Sequence, residues 1–123
     1  MKKNNKILIV SSKYYQDLLH NMEEDTRNVL DDAKKVVSSY QIAEAPGVFE
    51  IPFVISSKIK KFDAFIALAC VIKGETPHFD FISAAATDGI MKISIEYRKP
   101  IGNGIITCLN KNQAEVRLSL IHI

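Results

Sequence analysis

Long apolar runs and long runs of one charge are both missing from this 123-residue sequence. A membrane-spanning helix needs roughly 20 predominantly apolar residues, and no run approaches that length. The opening residues Met1–Lys6 are polar rather than signal-like. The 16 basic and 14 acidic side chains are interspersed, so no electrostatic footprint for nucleic acid is visible. We therefore expect a cytoplasmic protein with no membrane or nucleic-acid partner.

Cysteine is scarce, and internal repeats, low-complexity tracts and linkers are missing. The two cysteines, Cys70 and Cys108, lie in apolar stretches and form no CxxC pair, so we expect two reduced, buried thiols and no metal site. A chain of 123 residues with 47% hydrophobic content suits one domain with a real core. We therefore expect a single domain over residues 1–123.

What the sequence does contain is an alternation of strand-like and helix-like segments. Short apolar runs at 6–12, 67–72 and 101–108, and a weaker one at 41–45, are typical of strands in a parallel sheet. Apolar residues at helical spacing predict helices over 16–39, over 52–62 and from about 76 to 97, with a last helical segment from Asn110. This alternation predicts an α/β fold of three layers, α/β/α, around a four-stranded, mainly parallel sheet.

The stretch ALACVIKGETPHFDFI, residues 67–82, joins a strand that we expect to be buried on both faces to a new helix. Pro77 suits the first turn of that helix, whose free N–H groups and positive dipole end favour an anion, with phosphate the expected occupant. His78 falls in the same turn, where a neutral imidazole could act as a general base. The alternative is that His78 only caps the helix or packs against Phe79.

Aromatic and acidic residues follow the first two strands at the same edge of the sheet, where open parallel sheets bind their ligands. Tyr14 follows the first strand, and the alternative for it is a half-buried aromatic lid on the next helix. Val48, Phe49 and Glu50 follow the second strand in a loop. Glu50 has the alternative role of stabilising the N-terminus of the helix that comes next.

Small residues mark two other places. Ala85, Ala86 and Gly89 give the third helix a slim inner face, which close approach to the sheet or to another helix would explain. Asn103 and Gly104 lie inside the last strand, where glycine often marks a bulge or a nearby ligand.

Three blocks of the sequence resemble the lumazine synthase family. Pro46–Phe53, PGVFEIPF, is similar to the family's loop PGAFEIP, with Val48 in place of the alanine. Leu68–Phe81 is similar to its signature with the GETPH turn, and Asn103–Arg117 is similar to its NG, strand, QA and R ending. The match runs in order over about residues 6–117, and the resemblance implies a flavodoxin-like topology.

The resemblance implies an enzyme, a transferase of riboflavin biosynthesis. The family condenses 5-amino-6-ribitylaminouracil with 3,4-dihydroxy-2-butanone 4-phosphate, which gives 6,7-dimethyl-8-ribityllumazine, phosphate and water. No metal or cofactor is implied.

A role for each matching residue follows from the same resemblance. Tyr14, where the family more often has phenylalanine or tryptophan, would stack on the pyrimidine, and His78 would move protons. Glu50 would accept ribityl hydroxyl protons, and Arg117 would pair with the phosphate. Glu75 and Thr76 would bind the phosphate. The other substrate-binding residues that the resemblance implies are Val48, Phe49, Cys70, Val71, Ile72 and Asn103.

The resemblance also implies a homo-oligomer, a pentamer or a multiple of it. Each site would lie between neighbours, so Asn103 and Arg117 would serve the adjacent subunit's site. The likeness ends near Arg117, and the apolar ending Leu118–Ile123 does not look like the family's continuation. We therefore expect the chain to lack the family's C-terminal helix.

Two rival functions remain open. One is a non-catalytic shell or scaffold protein of the same fold, because fold and ring assembly do not need chemistry. The other is a flavodoxin-like flavin or phosphate binder, which shares the phosphate loops at the carboxyl edge. Such a binder should purify yellow with bound flavin, whereas the enzyme should give a fluorescent product only when both substrates are supplied.

Overall fold

The expected alternation of strands and helices is confirmed. The computed structural model describes residues 5–73, 78–110, 112–114 and 116. Its elements, in chain order, are β1 (Asn5–Ser12), α1 (Gln16–Asp32), β2 (Val37–Ala45), a 3₁₀ turn (Val48–Glu50), α2 (Ile51–Ser57), β3 (Ala64–Ile72), α3 (Phe79–Tyr97) and β4 (Ile101–Cys108).

The four described strands form one sheet in the order β2-β1-β3-β4, and every pair is parallel. Helix α1 packs on one face of the sheet, and α2 and α3 pack on the other. The predicted three-layer α/β/α fold is therefore confirmed, with the sheet wholly parallel rather than mainly so.

Strand β3 lies in the middle of the sheet and is buried on both faces, as its uninterrupted apolar run predicts. Because successive side chains point to opposite faces, the run divides between two cores. Ala67, Ala69 and Val71 pack with α2 and α3, whereas the three residues between and after them pack with α1.

The predicted boundary between α1 and β2 is wrong. The apolar spacing predicts a helix through residue 39, but α1 ends at Asp32 and β2 begins at Val37. Strand pairing explains the difference, since Val37 pairs with Asn5 of β1 and the Asn5 side-chain amide donates to the Val36 carbonyl at 2.7 Å. Tertiary pairing has here overridden a helical spacing that β-branched valines satisfy only weakly. Val29, expected on the inner face, is 67% exposed.

Helix α2 is also shorter than predicted. It ends at Ser57, so Ile59 and Phe62 lie beyond it, although Ile59 is still buried. The backbone carbonyls of Ile59 and Phe62 accept hydrogen bonds from the Lys99 ammonium group instead of continuing a helix. Phe53, one of the apolar residues on which the predicted helix rests, is 75% exposed.

Packing accounts for the two glycines that the sequence singles out. A Cβ on Gly104 would lie 2.8 Å from the Ala67 carbonyl oxygen and 2.9 Å from a Leu68 methyl carbon, so only glycine fits there. The pairing of β4 with β3 is regular, so of the two alternatives for Gly104, a bulge or a nearby ligand, the bulge is not observed. A Cβ on Gly89 would lie 3.1 Å from two Pro52 ring carbons, so the expected close approach between helices is confirmed.

Cys70 and Cys108 are buried and reduced, as expected. No helix within residues 5–73, 78–110, 112–114 and 116 is both long enough and apolar enough to cross a membrane.

Candidate active site

A cleft of about 500 Å³ opens at the carboxyl edge of the sheet, a volume typical of small-molecule sites. It is bounded by the end of β1, the turn that precedes α2, the end of β3 and the start of α3. The sequence-predicted residues that line it are Tyr14, Val48, Phe49, Glu50, Cys70, Val71 and His78.

Tyr14 stands at the mouth of this cleft. Its backbone N–H donates to the Ser12 hydroxyl oxygen at 3.2 Å, so its position is tied to the end of β1. Its side chain is 66% exposed, which does not fit a half-buried lid on α1. The Tyr14 side chain therefore both lines the cleft and contacts solvent.

Glu50 lies across a glycine from that ring. A Cβ on Gly47 would be 3.2 Å from Glu50 Oε1 and 3.4 Å from Tyr14 Cε2, so the bare Gly47 lets the carboxylate and the ring approach each other. The turn is held by the Glu50 backbone N–H, which donates to the Gly47 carbonyl at 3.2 Å. Glu50 occupies the position before α2 but its carboxylate makes no capping hydrogen bond, so an acceptor remains in the cleft.

His78 lies immediately before α3 rather than in its first turn, which corrects the predicted helix start. The helix begins at Phe79, and His78 has left-handed backbone angles, φ 60° and ψ 37°. Such a conformation costs a residue with a side chain about 1 kcal/mol or more. It is held by the His78 carbonyl oxygen, which accepts the Ile82 N–H at 2.9 Å. The exposed imidazole makes no capping hydrogen bond to α3, so the capping alternative gains no support.

Phe49 and Phe81 form an aromatic pair beside the cleft. Their ring centroids are 6.3 Å apart with an interplanar angle of 27°. Both side chains are more than half exposed, so the contact restricts Phe49 without burying it. Phe49 itself lines the cleft, and the pair thus gives one wall a fixed aromatic surface.

Two predicted residues lie outside the cleft of the single chain. Ile72 is fully buried in the core on the α1 side. Asn103 is exposed on β4, where it pairs with Ala67 and its side-chain oxygen accepts the Ile105 N–H at 3.0 Å. Their roles stay predictions.

The predicted phosphate-binding loop and its arginine lie outside the described residues. These are Gly74, Glu75, Thr76, Pro77 and Arg117, together with the ending after Arg117. Nearby, the side chain of Asn110 accepts the Gln113 N–H at 2.8 Å, so the predicted helical segment after β4 is capped at its start.

Four lining residues were not predicted: Ser12, Tyr15, Gly47 and Ile82. A signal existed for three of them, since Ser12 and Tyr15 flank the predicted carboxyl edge and Gly47 belongs to the quoted loop. Ile82 lies one helical turn after His78, and its apolar spacing indicated only core packing.

The chemistry available here is that of an organic acid-base site. An aromatic face, a carboxylate and an imidazole converge on one cleft. In the part of the chain that the structure describes, no three histidine, cysteine, aspartate or glutamate side chains cluster as metal ligands would. The arrangement suits binding of a flat, hydroxyl-bearing molecule and transfer of protons on it.

Comparison with known proteins agrees with the sequence motifs. A family model described as 6,7-dimethyl-8-ribityllumazine synthase matches residues 4–121. A 6,7-dimethyl-8-ribityllumazine synthase from Corynebacterium kroppenstedtii is 35% identical over 109 residues, which cover 89% of this chain and 67% of that protein. The proteins of that name from Aliarcobacter butzleri and Agrobacterium fabrum are each 34% identical, covering 93% and 91% of this chain and 74% and 78% of the relatives.

The family model thus extends from before β1 to beyond β4, and the relatives match about nine-tenths of the chain that forms the sheet and the cleft. The chain belongs to the 6,7-dimethyl-8-ribityllumazine synthase family.

Proposed function

We propose that this protein is a transferase of riboflavin biosynthesis that condenses 5-amino-6-ribitylaminouracil with 3,4-dihydroxy-2-butanone 4-phosphate. The products are 6,7-dimethyl-8-ribityllumazine, phosphate and water. The observation that carries the proposal is the convergence of Tyr14, Glu50 and His78 on one cleft of about 500 Å³. The identity of the substrates is inferred from the family to which the chain belongs.

The uracil ring is held in the cleft against the ring of Tyr14. Tyr14 offers an exposed aromatic face for stacking, and the turn at Val48 and Phe49 offers backbone groups for the ring and the ribityl chain. The Glu50 carboxylate accepts hydrogen bonds from ribityl hydroxyls, which a charged acceptor binds more strongly than a neutral one does. Backbone groups of Cys70 and Val71, at the end of β3, complete this subsite.

His78 handles the protons of the reaction. Imine formation, phosphate loss and ring closure each require a proton to be taken up or released, and an exposed imidazole at the cleft is suited to do both. Two reactants held together also gain several kcal/mol, roughly, from proximity. Glu75 and Thr76 bind the phosphate through backbone N–H groups, and Arg117 pairs with it.

The assembly that we propose is a homopentamer or a multiple of it. Support comes from apolar side chains that α2 and α3 leave exposed, namely Phe53, Phe81, Met91 and Ile95. Exposed apolar surface of this kind favours protein contacts. Asn103, exposed and outside its own chain's cleft, is free to complete a neighbour's site. The cytoplasmic location stays a prediction.

The assay supplies both substrates and follows the fluorescent product, with the spontaneous reaction subtracted as a blank. We expect product above the blank only when both substrates are present. No product at high protein concentration would contradict the proposal and favour a scaffold, while a preparation that is yellow as isolated would favour a flavin binder.

Subunit mixing tests the shared site. His78→Ala and Arg117→Ala chains should each be weakly active alone, and mixed rings should recover activity because some sites receive both intact residues. No recovery after verified subunit exchange would contradict a site built between chains.

A further inference from the structure

A second groove lies at the opposite, amino edge of the sheet. It has a volume of about 550 Å³ and is lined by Lys6, Ser39, Gln41, Lys58, Lys61 and Phe62. Neither the family motifs nor the proposed reaction uses any of these residues. Three of the six carry an ammonium group, and none of the six is acidic.

Strand register brings one wall of this groove together. Lys6 pairs with Ser39 across β1 and β2, and Leu8 pairs with Gln41. Since Leu8 packs in the core beneath α2 and α3, Lys6 two residues earlier lies on that same face of the sheet. The wall therefore presents one ammonium group and two neutral hydrogen-bonding side chains.

The end of α2 forms the other wall. Lys58 directly follows the last residue of α2, and its carbonyl accepts the Lys61 N–H at 3.0 Å. The chain turns there, and both lysines line the groove. The carbonyls of Ile59 and Phe62, whose dipoles would repel an anion, are already covered by the Lys99 ammonium group. The turn thus brings two lysines to the groove, and two of its carbonyl oxygens are paired with Lys99.

The lysines of the groove lack partners among the described residues. No ion pair involves Lys6, Lys58 or Lys61 within that part of the chain. The nearest carboxylate in sequence, Asp63, is not among the lining residues, and its Oδ2 accepts the Lys6 backbone N–H at 2.8 Å. Three ammonium groups around one groove repel each other unless an anion lies between them.

We propose that this groove binds the diphosphate group of a small molecule, either free or as an ester. A single phosphate monoester carries a charge of roughly −1.5 to −2 at neutral pH, which is smaller in magnitude than the +3 of three ammonium groups. A second phosphate group supplies the remaining negative charge. The volume exceeds that of the anion alone, and the Phe62 ring offers a surface for an organic part.

The groove is separate from the candidate active site. Lys6 lines the groove and Ser12 lines the cleft, and the six residue steps from one to the other along β1 span about 20 Å. A ligand in the groove therefore does not occupy the cleft that Tyr14, Glu50 and His78 line, and binding there does not depend on the proposed reaction.

Calorimetric titration of the full chain with inorganic pyrophosphate, and separately with ADP, tests the proposal. Divalent cations are omitted because they would neutralise the diphosphate. We expect one site per chain that the double variant Lys58→Gln/Lys61→Gln weakens about tenfold, as the loss of two partly exposed charge pairs implies. Lys58→Arg/Lys61→Arg should retain binding, since charge is kept.

The matched control is Lys34→Gln/Lys35→Gln, which removes the same charge from two exposed lysines that line neither cleft. Equal weakening by both glutamine pairs would mean general attraction to a basic protein and would overturn the proposal. Binding unaffected by Lys58→Gln/Lys61→Gln would place the anion elsewhere and overturn it too. ADP binding more tightly than pyrophosphate would assign an aromatic diphosphate ester as the ligand, and equal affinity would assign the free anion.

Discussion

The two edges of the sheet differ in how their backbone is shaped. At the carboxyl edge, Tyr15 and His78 each have left-handed angles at the start of a helix, and Gly47 leaves room between two side chains. At the amino edge, the one described residue of this kind is Arg98, which ends α3 as left-handed residues commonly end helices. Two of the three left-handed residues in the described part of the chain therefore lie beside the proposed chemistry, and none of the residues that line the basic groove has such angles.

The largest expected effect is the loss of turnover when the imidazole that lines the cleft, that of His78, is removed. His78→Ala should lower kcat by about 10- to 1000-fold, because a general acid-base group is lost while the proximity of the two substrates remains. Steady-state rates of lumazine formation, with the blank subtracted, measure it.

The control is His20→Ala, which removes an exposed histidine on α1. Its Nε2 lies 4.0 Å from Glu24 Oε2, and it lines neither the cleft nor the groove. This variant should leave kcat unchanged. Unchanged turnover in His78→Ala would leave His78 with a structural role only.

A smaller effect concerns the carboxylate beside Tyr14. Glu50→Gln should raise KM for the ribityl substrate about tenfold or more, since a hydrogen bond to a charged acceptor is replaced by a weaker neutral one. KM for the phosphate-bearing substrate should change little. Glu96→Gln, on the exposed side of α3, is the matched variant and should alter neither constant.

Equal changes in both Michaelis constants would argue against a subsite-specific role for Glu50. A fall in kcat with unchanged KM would instead mean that the carboxylate acts in the transition state.

The sequence predicts most of this fold because its strongest patterns are local. An apolar run without polar side chains, as in 67–72, leaves little alternative to a doubly buried strand, and the structure confirms it. The α1–β2 boundary fails because Val36 and Val37 satisfy a helical spacing, and only pairing with β1 decides their conformation. Such pairing depends on residues about 30 positions away.

The sequence predicts which residues form the candidate site but not how they are arranged. Motifs select Tyr14, Glu50 and His78, and the parallel sheet brings them to one edge. The left-handed angles of His78 and the space that Gly47 leaves are set by the packing of several elements, which no local pattern encodes. The family resemblance itself is confirmed.

Replacing Gly104 tests whether close packing between β4 and β3 requires a glycine at this position. Gly104→Ala should destabilise the protein by about 1–3 kcal/mol, because its Cβ would overlap the Ala67 carbonyl oxygen. Gly102→Ala is the control, since its Cβ would meet Ile66 at an ordinary 3.7 Å. Denaturant unfolding measures both, and equal stability of the two variants would contradict the packing explanation.

The smallest expected effect is a change in the pKa of Tyr40, at the contact between α1 and β2, outside both the cleft and the groove. The Tyr40 hydroxyl donates to Asp31 Oδ1 at 3.0 Å, and this hydrogen bond, with the repulsion of the carboxylate, raises the pKa of Tyr40. A raised pKa in the folded state means that the contact stabilises the fold below the ordinary tyrosine pKa and that this contribution is lost as pH rises through the raised value. Asp31→Asn should return the pKa of Tyr40 towards its ordinary value.

Ultraviolet absorbance of the phenolate during a pH titration measures this change, and Tyr40→Phe identifies which transition belongs to Tyr40. Because Tyr40 and Asp31 line neither cleft, Asp31→Asn should leave lumazine formation and pyrophosphate binding unaltered near neutral pH. An unshifted titration would mean that the hydrogen bond does not hold in solution. A change in either activity would mean that the α1–β2 contact is coupled to an edge of the sheet, and the separation between the two edges would then be incomplete.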